Sequence, residues 1–245
     1  MSEIISIKNL SFRYHDGSDA LQNISLSINE NEKIAFVGGN GAGKSTLLLH
    51  LNGILMGDGD LKIIGLELIK KNLKEIRKNT GLLFEDPDDQ LFCPTVFEDI
   101  AFGPLNLELK EDEIKKRVTD SLSKVGLDGF ENRSPHHLSY GEKKRIALAT
   151  LFAMNPKILA LDEPTSNLDP KSRRKLIEIL KSFNGTVILA THDLECVLEL
   201  CNRAIVLKDG QILKDGDSRT ILSDEKLMIE SDLEVPLSLK QIRRD

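Results

Sequence analysis

The sequence has few cysteines, no long apolar run and no excess of positive charge, and each absence excludes a class of protein. Its three cysteines, Cys93, Cys196 and Cys201, are odd in number and form no C-x-x-C pair, so we expect reduced thiols rather than disulfides or a metal site. The longest apolar runs, residues 158–161 and 186–190, are of strand length, far below the roughly 20 residues that span a bilayer. No basic stretch precedes an apolar one at the amino terminus, so no secretory signal is predicted and an intracellular location is expected.

The charge and the composition are those of an acidic globular protein. The chain has 33 Lys and Arg against 39 Asp and Glu, which argues against non-specific binding to nucleic acids or anionic lipids. The clearest local basic patch is Lys143, Lys144 and Arg145. Hydrophobic residues make up 40% and charged residues 29%, so disorder, collagen and coiled coil are excluded. The 245 residues suffice for one large domain or two lobes that share a core.

The first third of the chain is predicted to be rich in strands. Residues 4–28 alternate like short strands and are broken at the turn Asp16-Gly17. Residues 33–37 form a buried-type strand that runs into a glycine loop, and residues 61–68 resemble another short β element. A helix is predicted after the loop from the spacing of Leu47, Leu48, Leu51 and Leu55.

The rest of the chain alternates between helix and strand. Residues 95–152 have a helical pattern, with an apolar stripe that ends where Gly126 would form a C-cap. Buried strands are predicted over 157–161 and 186–190, with an amphipathic helix between them that carries Leu176, Ile177, Leu180 and Phe183. This order predicts an α/β fold, a mostly parallel sheet flanked by helices and interrupted by a helical insertion. Residues 218–245 are polar and are predicted to be a small helical appendage or a frayed tail.

The most specific motif is the run Gly38-Gly39-Asn40-Gly41-Ala42-Gly43-Lys44-Ser45, which matches G-x-x-x-x-G-K-S/T between a strand and a helix. Glycines let the backbone fold around a phosphate with its N–H groups pointing inward, and the helix N-terminus adds a positive dipole end. Lys44 would then reach the β- and γ-phosphates, Ser45 would ligate Mg²⁺, and Thr46 can contact phosphate. A glycine loop without a ligand is the alternative, which the strand-loop-helix context makes less favourable.

A second motif is the strand-like run 158–161 followed by Asp162 and Glu163. Two adjacent carboxylates after an apolar strand are costly unless a cation or a proton transfer requires them. Asp162 fits the residue that holds Mg²⁺, and Glu163 fits the general base that polarises the attacking water. A strand that ends in a solvated acidic turn is the alternative, and the glycine loop weighs against it.

Just ahead of this strand, Leu138-Ser139-Tyr140-Gly141-Glu142 resembles the signature motif of ATP-binding cassette (ABC) proteins. In that family the serine and the glycine hold the γ-phosphate bound by the partner subunit. A plain N-capped helix, with Ser139 and Glu142 as a capping box, is equally compatible with these residues. The resemblance implies the ABC form of the P-loop NTPase fold, with an antiparallel β subdomain and an α-helical signature subdomain.

Other elements of the family match single positions. Tyr14 resembles the aromatic residue that stacks on adenine, with a strand-surface aromatic as the alternative. Ser166-Asn167-Leu168-Asp169 resembles the D-loop, and His192 resembles the switch histidine after what would be the last long strand. Glu85 occupies the position of the family's Q-loop glutamine, a departure that keeps a ligand for Mg²⁺ but adds negative charge.

The resemblance implies a complete set of site residues. Catalysis would be carried out by Glu163 and His192, and the implied substrate is ATP bound with Mg²⁺. The D-loop residue is Asp169, and the signature residues that act on the partner's nucleotide are Ser139, Gly141 and Glu142. Mg²⁺ would be held by Ser45, Glu85 and Asp162. The nucleotide would be bound by Tyr14, Gly38, Gly39, Asn40, Gly41, Ala42, Gly43, Lys44, Ser45, Thr46 and Glu85.

One branch of the family fits best, the energy-coupling-factor importers that take up cobalt, nickel or vitamins. The segments that carry this resemblance are residues 12–17, 87–92 and 96–104. It implies an ABC ATPase domain over 1–217, with a helical subdomain at about 95–152, and a C-terminal extension over 218–245. The implied partners are a second ABC ATPase subunit, identical or paralogous, a transmembrane coupling subunit and a solute-binding membrane subunit.

This branch also implies a location and a docking surface. The chain would lie peripherally on the cytoplasmic face of the membrane and bind no nucleic acid. The coupling subunit would dock near residues 85–92, where Leu91 and Phe92 could form an apolar lip beside Asp88 and Asp89; a packed helix start is the alternative. Other functions remain open: a soluble ABC ATPase without a membrane partner, a non-cassette P-loop kinase, or a regulatory subunit with weak hydrolysis.

Overall fold

The structure is a computed structural model that describes residues 2–240. Met1 and residues 241–245 lie outside the described residues, and so therefore does the end of the predicted extension. The strands are β1 (Glu3–Arg13), β2 (Asp19–Asn29), β3 (Lys33–Val37), β4 (Asp58–Ile63), β5 (Leu66–Glu67), β6 (Thr80–Leu83), β7 (Ile158–Asp162), β8 (Thr186–Ala190), β9 (Arg203–Lys208) and β10 (Gln211–Asp217). The α-helices are α1 (Lys44–Leu51), α2 (Leu73–Asn79), α3 (Val96–Asn106), α4 (Glu111–Val125), α5 (Tyr140–Ala153), α6 (Pro170–Ser182), α7 (Leu194–Leu200), α8 (Ser218–Leu222) and α9 (Glu225–Glu230). Within residues 2–240, no helix combines the length and the apolar character needed to cross a bilayer.

The central sheet has the strand order β10-β9-β3-β8-β7-β6. β9, β3, β8, β7 and β6 run parallel, and β10 pairs antiparallel with β9 at the edge. The strands alternate with helices along the chain, as right-handed crossovers require. Because β3, β7 and β8 end at the same edge, the loops after Val37, Asp162 and Ala190 meet there.

Two cores form on the opposite faces of this sheet, because successive side chains of a strand point to opposite sides. Ile34 and Phe36 of β3 face the first core, which holds the inward side chains of β1, β2 and β4 and of α1. Ala35 and Val37 face the second core, which is built from α3 to α7. β1, β2, β4 and β5 make a separate antiparallel sheet in the order β2-β1-β4-β5. The α/β fold with its antiparallel subdomain is therefore as predicted.

The predicted helical insertion consists of α3, α4 and α5. A capping box between Thr95 and Glu98 starts α3, and Gly126 ends α4 with a left-handed φ of 65°. The stripe of α4 is buried in the helix-side core and comprises Ile114, Val118, Leu122 and Val125. Burial of such aliphatic side chains stabilises the fold by about 1.5–3 kcal/mol each.

The structure corrects several predicted element boundaries. α1 ends at Leu51, so Leu55 lies outside it, because Gly53 adopts a left-handed φ of 68°. Phe183 is the extended C-cap of α6 rather than part of the helix. Residues 186–190 are not the last long strand: β9 and β10 follow, and their apolar run 204–207 was not assigned from the sequence.

Tertiary packing also corrects two surface features predicted from the sequence, the basic patch and the docking lip. Lys144 is fully buried, and Lys143 forms an ion pair with Asp88, so these residues present no free basic surface. Leu91 belongs to the helix-side core, whereas Phe92 is 64% exposed. Only the second residue of the predicted lip is therefore on the surface.

The described part of the C-terminal extension packs against the helix-side core. Ile221, Leu222 and Met228 are buried in that core. Leu233, Val235 and Leu239 pack on it from outside, and the side chain of Ser238 donates a 2.7 Å hydrogen bond to Glu195 of α7. Within the described part of the extension, residues 218–230 contain the helices α8 and α9, and residues 231–240 follow without a helix.

Candidate functional site

The glycine loop between β3 and α1 lies at the carboxyl edge of the central sheet. It borders a cavity of about 570 Å³ whose lining also includes Tyr14, Glu85, Glu163 and His192. The carboxyl edge of a parallel sheet is where ligands bind in open α/β folds. A larger cleft of about 730 Å³ lies at the opposite, amino edge of the sheet, and no glycine loop borders it.

Two glycines of the loop are required by close packing. A Cβ on Gly38 would lie 2.2 Å from the carbonyl oxygen of Leu207, a distance no side chain allows. Gly43 is the N-cap of α1 with a left-handed φ of 99°, and its Cβ would lie 2.6 Å from the carbonyl oxygen of Ala20. No side chain caps the N-terminus of α1, so its backbone N–H groups are free to bind an anion.

Lys44 is held against the loop that precedes it. Its ammonium donates hydrogen bonds to the carbonyl oxygens of Gly38 at 2.8 Å and Gly39 at 2.9 Å. Burial lowers the pKa of Lys44, and the charges of the carboxylates Glu163, Asp162 and Glu85 act in the opposite direction. Its two hydrogen bonds hold the Lys44 side chain next to the amides that would surround a phosphate.

Asp162 lies behind the loop, at the end of β7. Burial raises the pKa of Asp162, and the Ser45 hydroxyl opposes this shift. The Oδ1 atom of Asp162 is buried and has no hydrogen-bond partner. An unpaired buried carboxylate oxygen beside a hydroxyl and the exposed Glu85 is a donor set that suits a hard cation such as Mg²⁺. Among the described residues, no three His, Cys, Asp or Glu side chains converge as a metal site, so waters and substrate phosphates would have to complete the coordination.

Glu163 is the most tightly constrained residue of the site. It is 8% exposed and has a positive φ of 41°, a strained conformation for a residue with a side chain. Its carboxylate accepts hydrogen bonds from the Thr191 hydroxyl at 2.8 Å and from the His192 backbone N–H at 3.0 Å. The Nδ1 atom of His192 lies 2.7 Å from the same carboxylate. The carboxylate and the imidazole that were predicted separately are thus in direct contact.

Two residues that hold Glu163 were not identified from the sequence. Lys144, from α5, donates a 3.0 Å hydrogen bond to the backbone carbonyl of Glu163, and the Ser166 hydroxyl donates to the same oxygen at 2.8 Å. Burial lowers the pKa of Lys144 to about 8, although the nearby carboxylates raise it. The sequence predicts a basic surface patch at Lys144. In the structure its ammonium instead points into the interior, towards Glu163, which lies 19 positions away along the chain.

The signature residues lie outside this cavity. Ser139 and Glu142 form the capping box that starts α5, as the interpretation of this motif as an N-capped helix predicts. A Cβ on Gly141 would lie 2.6 Å from the Ser172 hydroxyl, which explains the glycine by packing against α6. Tyr140, where the motif usually has glycine, donates a hydrogen bond to the carbonyl oxygen of Glu85 at 3.1 Å.

Tyr14 borders the cavity, whereas Asp169 does not and starts α6. The Tyr14 hydroxyl lies 3.0 Å from that of Thr46, and its ring packs edge-on against Phe12. Tyr14 is 38% exposed and borders the cavity, so a ligand in the cavity can reach its side chain. Asp169 is the N-cap of α6 and accepts hydrogen bonds from the backbone N–H groups of Lys171 and Ser172.

Comparisons with known proteins show which family this chain belongs to. The family model described as "ABC transporter" matches residues 21–166. A putative ABC transporter ATP-binding protein of Geobacter sulfurreducens is 48% identical over 238 residues, 97% of this chain and 96% of that protein. The energy-coupling factor transporter ATP-binding protein of Methanocaldococcus jannaschii is 46% identical over 239 residues, 95% of this chain and 86% of that protein.

Solved structures show the same relationship. CbiO1 of Clostridium perfringens, part of the ABC transporter complex CbiONQ, has a TM-score of 0.82 and 36% identity, and the match covers 94% of both chains. A dimeric ATP-binding cassette in a post-hydrolysis state, bound to ADP and Pi, has a TM-score of 0.79 and 30% identity over 87% of this chain and 98% of that one. The chain therefore belongs to the ABC transporter family, as an ATP-hydrolysing subunit of the energy-coupling-factor type.

Proposed function

We propose that this protein energises an energy-coupling-factor importer for a transition-metal ion, cobalt or nickel, or for a vitamin. It would act on the cytoplasmic face of the membrane, with a transmembrane coupling subunit and a solute-binding membrane subunit. Residues 1–217 would form the ATPase domain, with the helical subdomain inserted at about 95–152. The observation that carries the proposal is the Glu163–His192 contact beside the glycine loop, in a chain similar to energy-coupling factor ATPases over almost its whole length.

The residues of the cavity have complementary functions in ATP hydrolysis. The amides of the glycine loop and Lys44 would bind the phosphates, and Tyr14 would stack on the adenine. Glu163, oriented by Thr191 and His192, would take the proton of the attacking water. Ser45, Glu85 and Asp162 would hold Mg²⁺, which supplies charge neutralisation on the phosphate oxygens.

A second subunit is needed because the signature residues do not border the chain's own cavity. Ser139 and Gly141 would reach the nucleotide held by the glycine loop of the partner, with Glu142 fixing the helix start. ATP would then join two subunits, and loss of the γ-phosphate would separate them. The dimeric ABC structure with ADP and Pi supports this arrangement.

The coupling subunit would dock on an apolar surface of the helical subdomain. Phe92, Phe102 and Leu105 are exposed by 64%, 48% and 57%, and the rings of Phe92 and Phe102 pack edge-on at 5.1 Å. Acidic Asp88 and Asp89 lie on the same segment as Phe92. Side chains of this size are costly to leave in water unless a partner covers them.

Co-expression with the membrane subunits tests the proposal. The wild-type protein should co-purify with them, and MgATP should drive solute uptake in vesicles. Phe92→Asp should abolish co-purification and leave the basal ATPase activity of the isolated protein intact. Lys44→Ala should abolish hydrolysis and leave co-purification intact. Failure of the wild-type protein to co-purify with the membrane subunits would favour the alternative function, a soluble ABC ATPase, whereas assembly unaffected by Phe92→Asp would place the docking surface elsewhere.

A further inference from the structure

The C-terminal segment, defined here as residues 224–240, contacts the glycine loop directly. The backbone N–H of Gly39 donates a 3.1 Å hydrogen bond to the carbonyl oxygen of Ser231. The Cβ atom of Asp232 lies 3.0 Å from the position that a Cβ on Gly39 would occupy. Asp232 therefore fills the space that a side chain at position 39 would need.

The C-terminal segment is anchored firmly enough to act on the loop. Met228 is fully buried, and Ser231 is 1% exposed. The hydroxyl of Ser231 donates to the carbonyl oxygen of Leu227 at 2.6 Å, which fixes the turn after α9. Lys208, at the end of β9, donates to the carbonyl oxygen of Glu230, and a cation at a helix C-terminus is favourable.

Gly39 transmits this contact to the phosphate-binding residues. Its carbonyl oxygen accepts hydrogen bonds from the ammonium of Lys44 at 2.9 Å and from the backbone N–H of Ala42 at 3.3 Å. A single residue thus contacts the C-terminal segment through its N–H group and holds the loop lysine through its carbonyl oxygen. A displacement of Gly39 would shift both partners, because hydrogen bonds weaken as their distances and angles depart from the preferred geometry.

We propose that Ser231 is a positioning residue for the glycine loop and that the C-terminal segment packs on the loop at Asp232, so that nucleotide affinity depends on the docked segment. The proposal rests on the proposed function of the loop as the triphosphate site. It adds a control point outside the motif, because any partner or modification that displaces the segment would weaken ATP binding. The segment is remote in sequence, and no residue of it contributes a side chain to the cavity.

A double-mutant cycle in the full-length protein tests the contact. Gly39 is not in the left-handed region, so alanine is sterically compatible with its backbone there. Gly39→Ala should raise the KM for ATP about five- to tenfold with a smaller effect on kcat, because the new Cβ pushes against Asp232. Asp232→Gly, at a left-handed φ of 57°, should change the KM by less than about threefold and, in the double variant, restore it to within about threefold of wild type.

Hydrogen exchange provides a second measurement, which leaves the contact between Gly39 and the C-terminal segment unaltered. ADP, which lacks the γ-phosphate that would join two subunits, should slow amide exchange in residues 224–240, since coupling between two sites is reciprocal. Lys44→Ala should bind no ADP and show no such change. An unrescued Gly39→Ala, or unchanged exchange while ADP is bound, would overturn the proposal. Normal nucleotide binding by Lys44→Ala would instead refute the proposed function of the loop.

Discussion

The ammonium of Lys144 and the backbone carbonyl of Glu163 are joined by a 3.0 Å hydrogen bond in the interior of the protein. Lys144 belongs to α5, whose first turn carries the signature residues, and Glu163 is the proposed general base. The bond therefore links the helix that would contact the partner's nucleotide with the carboxylate that would act on the chain's own nucleotide. It also helps to stabilise the strained backbone of Glu163.

Replacement of Lys144 should affect turnover more than binding. Lys144→Met keeps the length of the side chain but removes the donor and its charge, so the backbone of Glu163 should relax and its carboxylate should turn. We expect kcat to fall about tenfold to a hundredfold, while the KM for ATP changes less than about threefold. Steady-state kinetics at saturating Mg²⁺ measures both constants.

The matched control is Lys143→Met on the same turn of α5. Lys143 is ion-paired with Asp88 at 2.7 Å and does not contact Glu163. This variant should keep wild-type kcat. The orienting function of Lys144 is wrong if both variants have the same kinetics, or if Lys144→Met retains at least half of the wild-type kcat.

Removal of the carboxylate charge at position 163 should block the chemical step. Glutamine keeps the size of Glu163 and one carbonyl acceptor for Thr191, but it cannot take a proton from water. Glu163→Gln should lower phosphate release about a hundredfold or more and allow a dimer with bound MgATP to accumulate. Size-exclusion chromatography with ATP would detect the dimer.

Glu178→Gln, on the exposed face of α6, is the surface control and should behave as wild type. Unchanged turnover in Glu163→Gln would exclude Glu163 as the general base.

The sequence predicted the parts of this site that depend on local chain geometry. The strand before Gly38, a helix after the glycine loop and a buried strand next to Asp162 all follow from short apolar runs and adjacent motif residues. Glycine spacing and strand length act over fewer than ten residues, so their consequences can be deduced without knowledge of the tertiary structure.

The remaining features depend on contacts between distant segments. Lys144 and Leu91 have the sequence context of surface residues, and only the packing of α3 to α5 buries them. The contact of Ser231 with Gly39 joins residues 192 positions apart, and no local pattern predicts it. β9 differs from these features, because its apolar run 204–207 is a local pattern that indicates a strand without knowledge of the fold. Side-chain burial and long-range hydrogen bonds are properties of the whole fold, not of a sequence window.

The unusual carboxylate at position 85 should alter the response to Mg²⁺. Glu85 is exposed and borders the cavity, where it adds a hard anionic oxygen beside Ser45. Glu85→Gln should raise the Mg²⁺ concentration that gives half-maximal ATPase activity, without abolishing the activity. Titration of Mg²⁺ at fixed ATP measures the shift, and Glu178→Gln is again the control. Superimposable titrations of the wild-type protein and Glu85→Gln would contradict the prediction.

Two substitutions of Tyr14 separate its ring from its hydroxyl. Tyr14→Phe removes the 3.0 Å contact with Thr46 but keeps the aromatic face, whereas Tyr14→Ala removes both. Stacking contributes about 0.5–1.5 kcal/mol, so Tyr14→Ala should raise the KM for ATP about three- to tenfold and Tyr14→Phe less than about twofold. Binding of inorganic tripolyphosphate, which has no base, should be the same in all three proteins. A loss of tripolyphosphate binding in Tyr14→Ala would show that the ring supports the loop rather than the adenine.

The ion pair between Arg173 and Asp193 should make stability depend on pH in a defined window. Arg173 donates to both carboxylate oxygens of Asp193, and the pair is largely shielded from solvent. Burial alone would raise the pKa of Asp193, but the hydrogen bonds from Arg173, Cys196 and Thr165 outweigh it and lower the pKa below 3.8. A lowered pKa means that the stabilisation is complete above the unfolded value and is lost as the pH falls through the folded one.

Arg173→Met should therefore lower the free energy of unfolding by about 2 kcal/mol at pH 7, because it leaves a partly buried carboxylate without its partner. The difference from wild type should be largest near neutral pH and should narrow as the pH falls and Asp193 becomes protonated. Urea unfolding at a series of pH values measures this difference in the free energy of unfolding. Lys115→Met, which breaks an exposed ion pair with Glu111, should show no such loss of stability. A difference that instead grew as the pH fell would mean that Asp193 is stabilised in its protonated form, contrary to the geometry of the pair.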